Sequence, residues 1–225
     1  MLRFGQIGRY YYKTCVMKKF IFLFFLAAAA KSTAQNVKGW YLEGRVTGGH
    51  SWYSQQDNNL FHPYLQTAAN FVYQSKKIIS FGTGVGFSSE GYSDQILAAE
   101  SKTITRANYV RVPLFARLMF SPESRTRPYA DAGLSLGFFT GGQTKNYFRG
   151  KFSSEQKTSP INKNDMGLFT HAGISSQLSA GVTLNGSVSY YHGFVQQKAL
   201  TGLNVNPPIS NRNIGVGLGL QYRLN

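Results

Sequence analysis

The sequence predicts an all-β protein, an eight-stranded antiparallel up-and-down transmembrane β-barrel with short periplasmic turns and long outer loops. Three observations predict it: apolar and polar residues alternate in about eight segments, the connections between the segments alternate between short and long, and a short apolar leader stands near the N-terminus. Strands of about ten residues in such a barrel turn apolar side chains to lipid and polar ones inward. We therefore expect the protein in the outer membrane of a Gram-negative bacterium.

The N-terminal region has the composition of a secretory leader. Met17–Lys19 is positive, the apolar run 20–30 is too short to span a bilayer as a helix, and Ser32–Ala34 supplies small residues for cleavage. The alternative, that the tyrosine-rich segment 10–12 belongs to a structured arm, stays open. The predicted divisions are 1–16, an upstream extension outside the mature product; 17–34, the signal peptide; and 35–225, one outer-membrane barrel domain.

Cysteine content and charge limit the chemistry of the exported chain. The sole cysteine, Cys15, precedes the predicted mature start, which leaves no disulfide, thiolate metal site, cysteine nucleophile or cysteine-linked lipid anchor. The net charge of +15 falls to +9 when the leader is removed, because 18 basic and 9 acidic residues remain. Export favours phosphate-bearing membrane lipid over nucleic acid as the attracted partner. We expect contacts with outer-membrane lipid and lipopolysaccharide, and none with nucleic acid.

The predicted strands follow the alternation of apolar and polar residues along the chain. In the first segment Trp40, Leu42 and Val46 share one parity, while charged and hydroxyl residues occupy the other. The same alternation extends from Ile79 to Phe87 in the third segment and from Val182 to Tyr190 in the seventh. The eight predicted strands are 40–50, 64–75, 77–88, 108–120, 127–139, 166–177, 181–193 and 212–224.

The eighth segment is the clearest strand. From Asn213 to Leu224 apolar residues occupy every second position, and glycine, asparagine, glutamine or arginine occupies the others. The end of this strand also has the character of a recognition signal for the barrel-assembly machinery, formed by Gly219, Tyr222 and Leu224. We expect that machinery to be a partner during biogenesis.

The connections give independent support for a membrane barrel. They are short around Ser75–Lys76, 121–126 and 177–180, whereas those after the first, third, fifth and seventh strands are predicted to run to a dozen residues or more. An even number of strands then places both chain ends on the side of the short turns. A soluble lipocalin-like barrel is the alternative fold. We expect a monomer, since a closed barrel satisfies every strand edge.

The fourth and fifth strands carry a family resemblance. Pro113 lies inside the fourth predicted strand, where it indicates a bulge or break in the ladder. Tyr109 with Pro113, the segment Pro128–Ser135 and the Ala34–Gln35 junction together resemble the PorT-like outer-membrane β-barrel proteins. The resemblance extends over 35–225 and implies a small outer-membrane barrel. Because PorT is associated with protein secretion, it also implies an accessory role in a secretion system as an alternative function.

The interior of the barrel is predicted to be polar. The lumen of an eight-stranded barrel is just wide enough for its own side chains to fill. Charges buried there must be paired, because an isolated one is costly to remove from water. We expect a polar plug, with a narrow gated pore as the alternative. The predicted plug residues are Glu43, Arg45, Asn70, Arg111, Arg117, Asp131 and Arg223.

The third long loop, 141–165, interleaves basic and aromatic residues. We expect this loop to face an anionic glycolipid leaflet, where basic loops are common. The alternative is that the loop binds a sugar, phosphate or nucleic acid ligand. We expect a structural or binding protein that uses its loops as the interaction surface. The predicted ligand contacts are Lys145, Tyr147, Phe148, Arg149 and Lys151.

Aromatic residues near strand ends are predicted to form girdles at the membrane interfaces, where amphipathic rings are favoured. Ordinary β-propensity also enriches tyrosine in strands. The predicted girdle residues are Trp40, Tyr64, Tyr73, Tyr109, Tyr129, Tyr190 and Tyr222.

Histidines and acids near the loops leave a rim hydrolase open as an alternative. Catalytic triads depend on a geometry that spacing alone does not give. No metal-binding spacing such as His-Glu-x-x-His is present. We therefore expect no enzymatic activity, no metal and no cofactor. The residues on which the hydrolase alternative rests are His50, His62, His192, Asp57, Asp94 and Asp165.

Overall fold

The computed structural model describes residues 38–54, 59–75, 78–96, 100–121, 123–157, 163–195 and 210–224. The predicted upstream extension and signal peptide lie outside these residues. No helix in the described part of the chain is long and apolar enough to cross a membrane. The strands in chain order are β1 (Gly39–Tyr53), β2 (Asn59–Leu60), β3 (Pro63–Gln74), β4 (Ile79–Ile96), β5 (Ser101–Met119), β6 (Thr126–Phe148), β7 (Lys151–Lys157), β8 (Asn164–Gln177), β9 (Val182–Gly193) and β10 (Asn211–Leu224).

Eight of these strands close into an antiparallel ring. Its order is β1, β3, β4, β5, β6, β8, β9 and β10, and β10 pairs again with β1. The closing pair runs without a break from Trp40 opposite Leu224 to Tyr53 opposite Asn211. The short strands β2 and β7 lie outside the ring and pair with β4 and β6. The predicted eight-stranded up-and-down topology is confirmed.

The barrel is apolar outside and polar inside. On β10, Val216 and Leu218 are 68% and 67% exposed, whereas their neighbours Gly215 and Gly217 face a crowded interior. On β1 the inward side chain of Glu43 is fully buried. A water-soluble barrel distributes its residues the other way round, because its apolar side chains must leave water. The lipocalin-like alternative is therefore wrong.

The two ends of the barrel differ in their connections. At the turn end, residues 75–78, 120–125 and 178–181 join β3 to β4, β5 to β6 and β8 to β9. The first and last described strands also begin and end there, since Trp40 lies opposite both Tyr73 and Leu224. The opposite end, which carries the remaining connections, is called the loop end.

Several strands extend further at the loop end than the alternation predicted. β4 runs to Ile96 rather than 88 and β5 begins at Ser101 rather than 108, so the connection between them is 97–100 rather than a dozen residues. β6 likewise continues to Phe148 and is met by β7. The physical reason is that both faces of a strand meet water beyond the membrane. Backbone pairing continues there, but nothing imposes the period-two pattern.

The predicted break at Pro113 is confirmed in the ladder between β4 and β5. Thr83 pairs with Leu114 and Gly86 pairs with Arg111, but the pairing is interrupted between these two points. Proline has no N–H to donate to a neighbouring strand.

The predicted aromatic girdle is wrong for three tyrosines. Tyr64, Tyr109 and Tyr129 are buried in the lumen. Their parity is that of the polar inward residues, and their hydroxyl groups suit that interior. The remaining members of the predicted girdle lie on the outer wall: Trp40, Tyr73, Tyr190 and Tyr222.

Candidate functional site

The half of the lumen towards the turn end holds a neutral group of charges, here called the turn-side cluster: Glu43, Arg45, Arg117, Asp131 and His171. The Nε of Arg117 donates to Asp131 Oδ1 at 2.7 Å, and its Nη1 lies 2.8 Å from Glu43 Oε2. Arg45 Nη2 lies 2.8 Å from Glu43 Oε1 and 3.2 Å from Asp131 Oδ2. Two guanidinium groups thus balance two carboxylates.

One histidine and two asparagines surround the charged groups of the turn-side cluster. His171 Nδ1 lies 3.2 Å from Asp131 Oδ2 and the same ring contacts Arg45. Asn70 and Asn185 donate to the two oxygens of Glu43 at 3.4 and 3.0 Å. Buried carboxylates need this full set of partners, because an unpaired polar group is costly in a low dielectric.

The half of the lumen towards the loop end holds a second group, the loop-side cluster: Ser88, Glu90, Arg111, Asp165 and Tyr191. Arg111 donates to both oxygens of Glu90, from Nε at 2.6 Å and Nη2 at 2.8 Å, and Nη2 also lies 2.8 Å from Asp165 Oδ2. Tyr191 donates its hydroxyl to the same Asp165 oxygen at 2.7 Å. The Arg111 guanidinium lies over the Tyr191 ring, 4.4 Å from its centroid.

Packed side chains separate the two clusters. The rings of Phe115 and Phe169 meet edge to face with centroids 6.1 Å apart. The cavity beside them, lined also by Arg45, Arg111 and Ser135, measures about 40 Å³. A space of that size holds a few water molecules. The lumen between the clusters therefore holds packed side chains and a cavity with room for only a few waters.

The predicted plug residues all face the lumen, although the sequence missed part of the network. Six of them are buried, and Arg223 is half-buried at the turn end. Glu90 and Asp165 were missed as plug residues because the predicted strands ended at 88 and began at 166. Continuing the inward parity by one step from Ser88 to Glu90 would have found the first of them.

The predicted loop contacts lie on one projecting hairpin, here called the outer hairpin and formed by residues 141–157. Phe148 pairs with Lys151 across a two-residue turn, in which Arg149 and Gly150 have φ of 50° and 73°. Positive φ at both central residues is the requirement of a type I′ turn. The outer hairpin is therefore a paired β-hairpin rather than an irregular loop, with one register shift between Asn146 and Tyr147.

The outer hairpin is basic and carries exposed rings. Phe148 and Phe152 are 52% and 58% exposed. Arg149 lies over the Phe148 ring and pairs with Glu100 at 2.8 Å, and both charges are exposed. Lys145 Nζ lies 3.6 Å from Glu155. Such exposed pairs are weak, so these cations remain open to other anions.

The structure does not bring together those residues of the hydrolase alternative that it describes. His50 and His192 lie on the outer wall, whereas Asp165 belongs to the loop-side cluster. Asp57 lies outside the described residues, and Asp94, in β4 opposite Asn59, is only half-buried.

Of these histidines, only His62 contacts a serine in the described part of the chain. It is buried, with Nδ1 3.1 Å from Ser93 Oγ and no hydrogen-bond partner on Nε2. Burial lowers the pKa of His62 to about 4, and the nearby Arg106 and His50 act in the same direction. No described carboxylate orients this imidazole, as a catalytic histidine requires. Among the described residues no group of three or more histidines, cysteines and acids could hold a metal ion.

The residues of the predicted assembly signal have separate positions at the end of β10. Gly219 faces inward near Arg45, Tyr222 is exposed on the wall, and Leu224 lies opposite Trp40. Their recognition by the assembly machinery stays a prediction.

Comparisons with known proteins agree with this architecture. A family model described as "Outer membrane protein beta-barrel domain" matches residues 30–197. The crystal structure of Neisserial surface protein A is similar, with a TM-score of 0.50 and 14% identity over 84% of this chain and 100% of that one. OprG from Pseudomonas aeruginosa has a TM-score of 0.51 and 12% identity over 86% of this chain and 100% of that one. A comparison with curated proteins gives no match.

Proposed function

This chain belongs to the outer membrane protein beta-barrel domain family, and from that premise we propose that it is a small non-enzymatic binding protein. It lies in the outer membrane as an eight-stranded barrel, with the turn end in the periplasm and the loop end outside. The observation that carries the proposal is the outer hairpin, which presents basic side chains and two exposed phenylalanine rings. Its partner is an anionic polymer at the cell exterior, such as an acidic polysaccharide.

The packed lumen favours a binding function at the loop end over transport through the barrel. Buried ion pairs occupy both halves of the barrel interior, and the cavity between them holds only a few waters. On the outer hairpin, by contrast, Lys145 is half-exposed and Lys151 and Lys157 are exposed. Several such cations act together on a polyanion, because each neutralised charge releases counterions.

The test compares retention of intact cells on immobilised dextran sulfate and on uncharged dextran. We expect cells with the unaltered protein to be retained on dextran sulfate only, and the triple variant Lys145→Gln, Lys151→Gln, Lys157→Gln to lose that retention. Glu155→Gln is the matched control, since Glu155 is the only acid of the outer hairpin, and its loss should strengthen retention. Equal retention of the triple variant and the unaltered protein would refute the proposal.

An accessory role in protein secretion is the second candidate, and it rests on the PorT-like resemblance. Tyr109 and Pro113, which carry part of that resemblance, are buried and face the lumen. These residues therefore pack inside the barrel and are not available to a partner protein. The resemblance is for this reason a better guide to the architecture of the protein than to its partners. Deletion of the gene tests the role: accumulation of secreted cargo in the periplasm would support it, and normal secretion would refute it.

We also propose that the protein is a monomer in the membrane. Each of the eight ring strands pairs on both sides, which leaves no barrel strand edge for a second chain. Crosslinking of the protein in isolated membranes should give a single species, and a crosslinked dimer would contradict this.

A further inference from the structure

An arginine at the loop end of β10 faces the lipid side of the barrel wall. Arg212 on β10 shares the outward parity of Ile214 and Val216, both of which are exposed. The strand register places Arg212 directly between Trp52 on β1 and His192 on β9. Side chains directly opposite each other in an antiparallel pair are separated by about 5 Å at Cβ. Arg212 is therefore flanked on the outer wall by an indole on one side and an imidazole on the other.

Aromatic rings border this arginine on both sides. His50 stacks on Trp52 at 5.1 Å and on Phe61 at 5.2 Å, with interplanar angles of 16° and 18°. On the other side, the His192 ring lies 6.0 Å from that of Phe194. Phe61 and Phe194 are 70% and 48% exposed. The wall site is defined as His50, Trp52, Phe61, His192, Phe194 and Arg212.

Arg212 has no partner among the described residues that would compensate its charge. Its Nε is buried and makes no hydrogen bond with a described residue. An arginine on the lipid face of a barrel is destabilising unless it reaches the interface or an anion. Among the described residues nothing supplies that anion, so the wall site is open to a negatively charged group from outside the protein.

The position of Arg212 along the barrel axis indicates which kind of negatively charged group can reach it. The outward apolar residues of β10 run from Ile214 to Tyr222. At about 3.3 Å per residue and a tilt of about 40°, this run is roughly 20 Å tall, close to the full apolar band of a barrel. Arg212 lies one outward step beyond the loop-end edge of this run. That position corresponds to the headgroup level of the outer leaflet, where Phe61 and Phe194 also suit the interface.

We propose that the wall site binds a phosphate group of an outer-leaflet glycolipid. The Arg212 guanidinium matches phosphate geometry with two parallel N–H donors. The imidazole of His192 lies beside it as a further hydrogen-bonding group, and the exposed rings pack against the sugar and the start of the acyl chains. The wall site is independent of the outer hairpin, because β6 lies three strands away from β10 in the ring.

The experiment measures lipid binding to the full-length folded protein by native mass spectrometry in detergent. The probes are bisphosphorylated lipid A and the same lipid stripped of both phosphates. We expect the unaltered protein to prefer the phosphorylated lipid by about tenfold, the size of one charge-assisted contact. Arg212→Gln should remove most of that preference, while Arg212→Lys should retain part of it. Arg149→Gln, at an exposed arginine of the outer hairpin, is the matched control and should leave the preference unchanged.

Three outcomes would overturn the proposal: equal binding of both lipids by the unaltered protein, an unchanged preference in Arg212→Gln, or displacement of the lipid by millimolar inorganic phosphate, which would indicate a site for free anions. A heat-dependent gel shift checks that each variant is folded. The triple lysine variant of the outer hairpin should keep the lipid preference, so failure of the wall site and failure of the outer hairpin are distinguishable.

Discussion

Arg117 shows how a single residue holds the lumen together. Its guanidinium is fully buried and contacts Asp131, Glu43 and Gln221. These partners come from β6, β1 and β10, so one side chain connects strands on different sides of the ring. Removing one partner of a buried ion pair leaves an uncompensated charge, which costs more than the pair itself contributes.

Arg117→Met should therefore lower the free energy of unfolding by about 3–5 kcal/mol. Urea unfolding in detergent, followed by the gel mobility of unheated samples, measures the change. The control is Arg149→Met, which removes an exposed ion pair and should cost less than about 1 kcal/mol. Equal effects of the two substitutions would show that the lumen charges are not packed as the structure has them.

His62 predicts a pH dependence at the loop end. It lies in the connection between β2 and β3, and burial lowers its pKa to about 4. Between about pH 4 and 6.5 the unfolded chain binds a proton that the folded chain does not, so stability falls as the pH falls through this window. His62→Asn should reduce that slope, measured as the free energy of unfolding at pH 7 and pH 4.5. An unchanged slope would assign the pH dependence to other groups.

Individual lumen residues could be predicted only where the strand pattern was clear. Glu43, Arg117 and Asp131 lie amid strong alternation, and their inward position followed from parity. Asp165 and Glu90 lie where strands pass out of the apolar belt, and the pattern faded there. Which acid pairs with which arginine could not be predicted, because it depends on the stagger between strands rather than on spacing in the chain.

The pairing of the outer hairpin depends on the conformation of its two turn residues. Arg149 and Gly150 both have positive φ, which glycine adopts readily and most other residues do not. Gly150→Val should disorder the hairpin and reduce retention on dextran sulfate while leaving the urea midpoint of the barrel unchanged. Arg149→Asn is the matched control for geometry, since asparagine favours this position, and it should keep the hairpin paired. A shift of the barrel midpoint in Gly150→Val would mean that the hairpin is part of the barrel's stability.

The outer hairpin also shows why the structure of the loops could not be predicted from the sequence. The segment 151–157 is exposed except at the half-buried Ser154, so β7 has no buried face and leaves no alternating pattern. Its pairing with β6 comes from the turn at Gly150 and from backbone hydrogen bonds. These contributions are weakly encoded in hydrophobicity, whereas the lipid-facing strands are strongly encoded by it.

At the scale of the whole molecule, two features follow from the alternation of apolar and polar residues along the strands. One is the closure of the ring, and the other is the placement of apolar residues outside and polar residues inside. Lipid selects one parity and the filled lumen selects the other, so the period-two pattern predicts both the strand count and the membrane location. The lumen is then too narrow to be empty, and its polar side chains must pair with one another. The closed ring of strands and the packed polar lumen therefore both follow from the alternation of apolar and polar residues.

This closure predicts that the protein does not conduct ions. The turn-side and loop-side clusters lie one above the other, and the Phe115–Phe169 contact fills the space between them. In planar bilayers the full-length protein should give no stepwise currents, while an open porin in the same membrane gives them and confirms sensitivity. Phe115→Ala should enlarge the central cavity yet stay silent, because the ion pairs on either side still block the path. Stepwise currents from the unaltered protein would instead establish the narrow gated pore and show that one of the two clusters opens in the membrane.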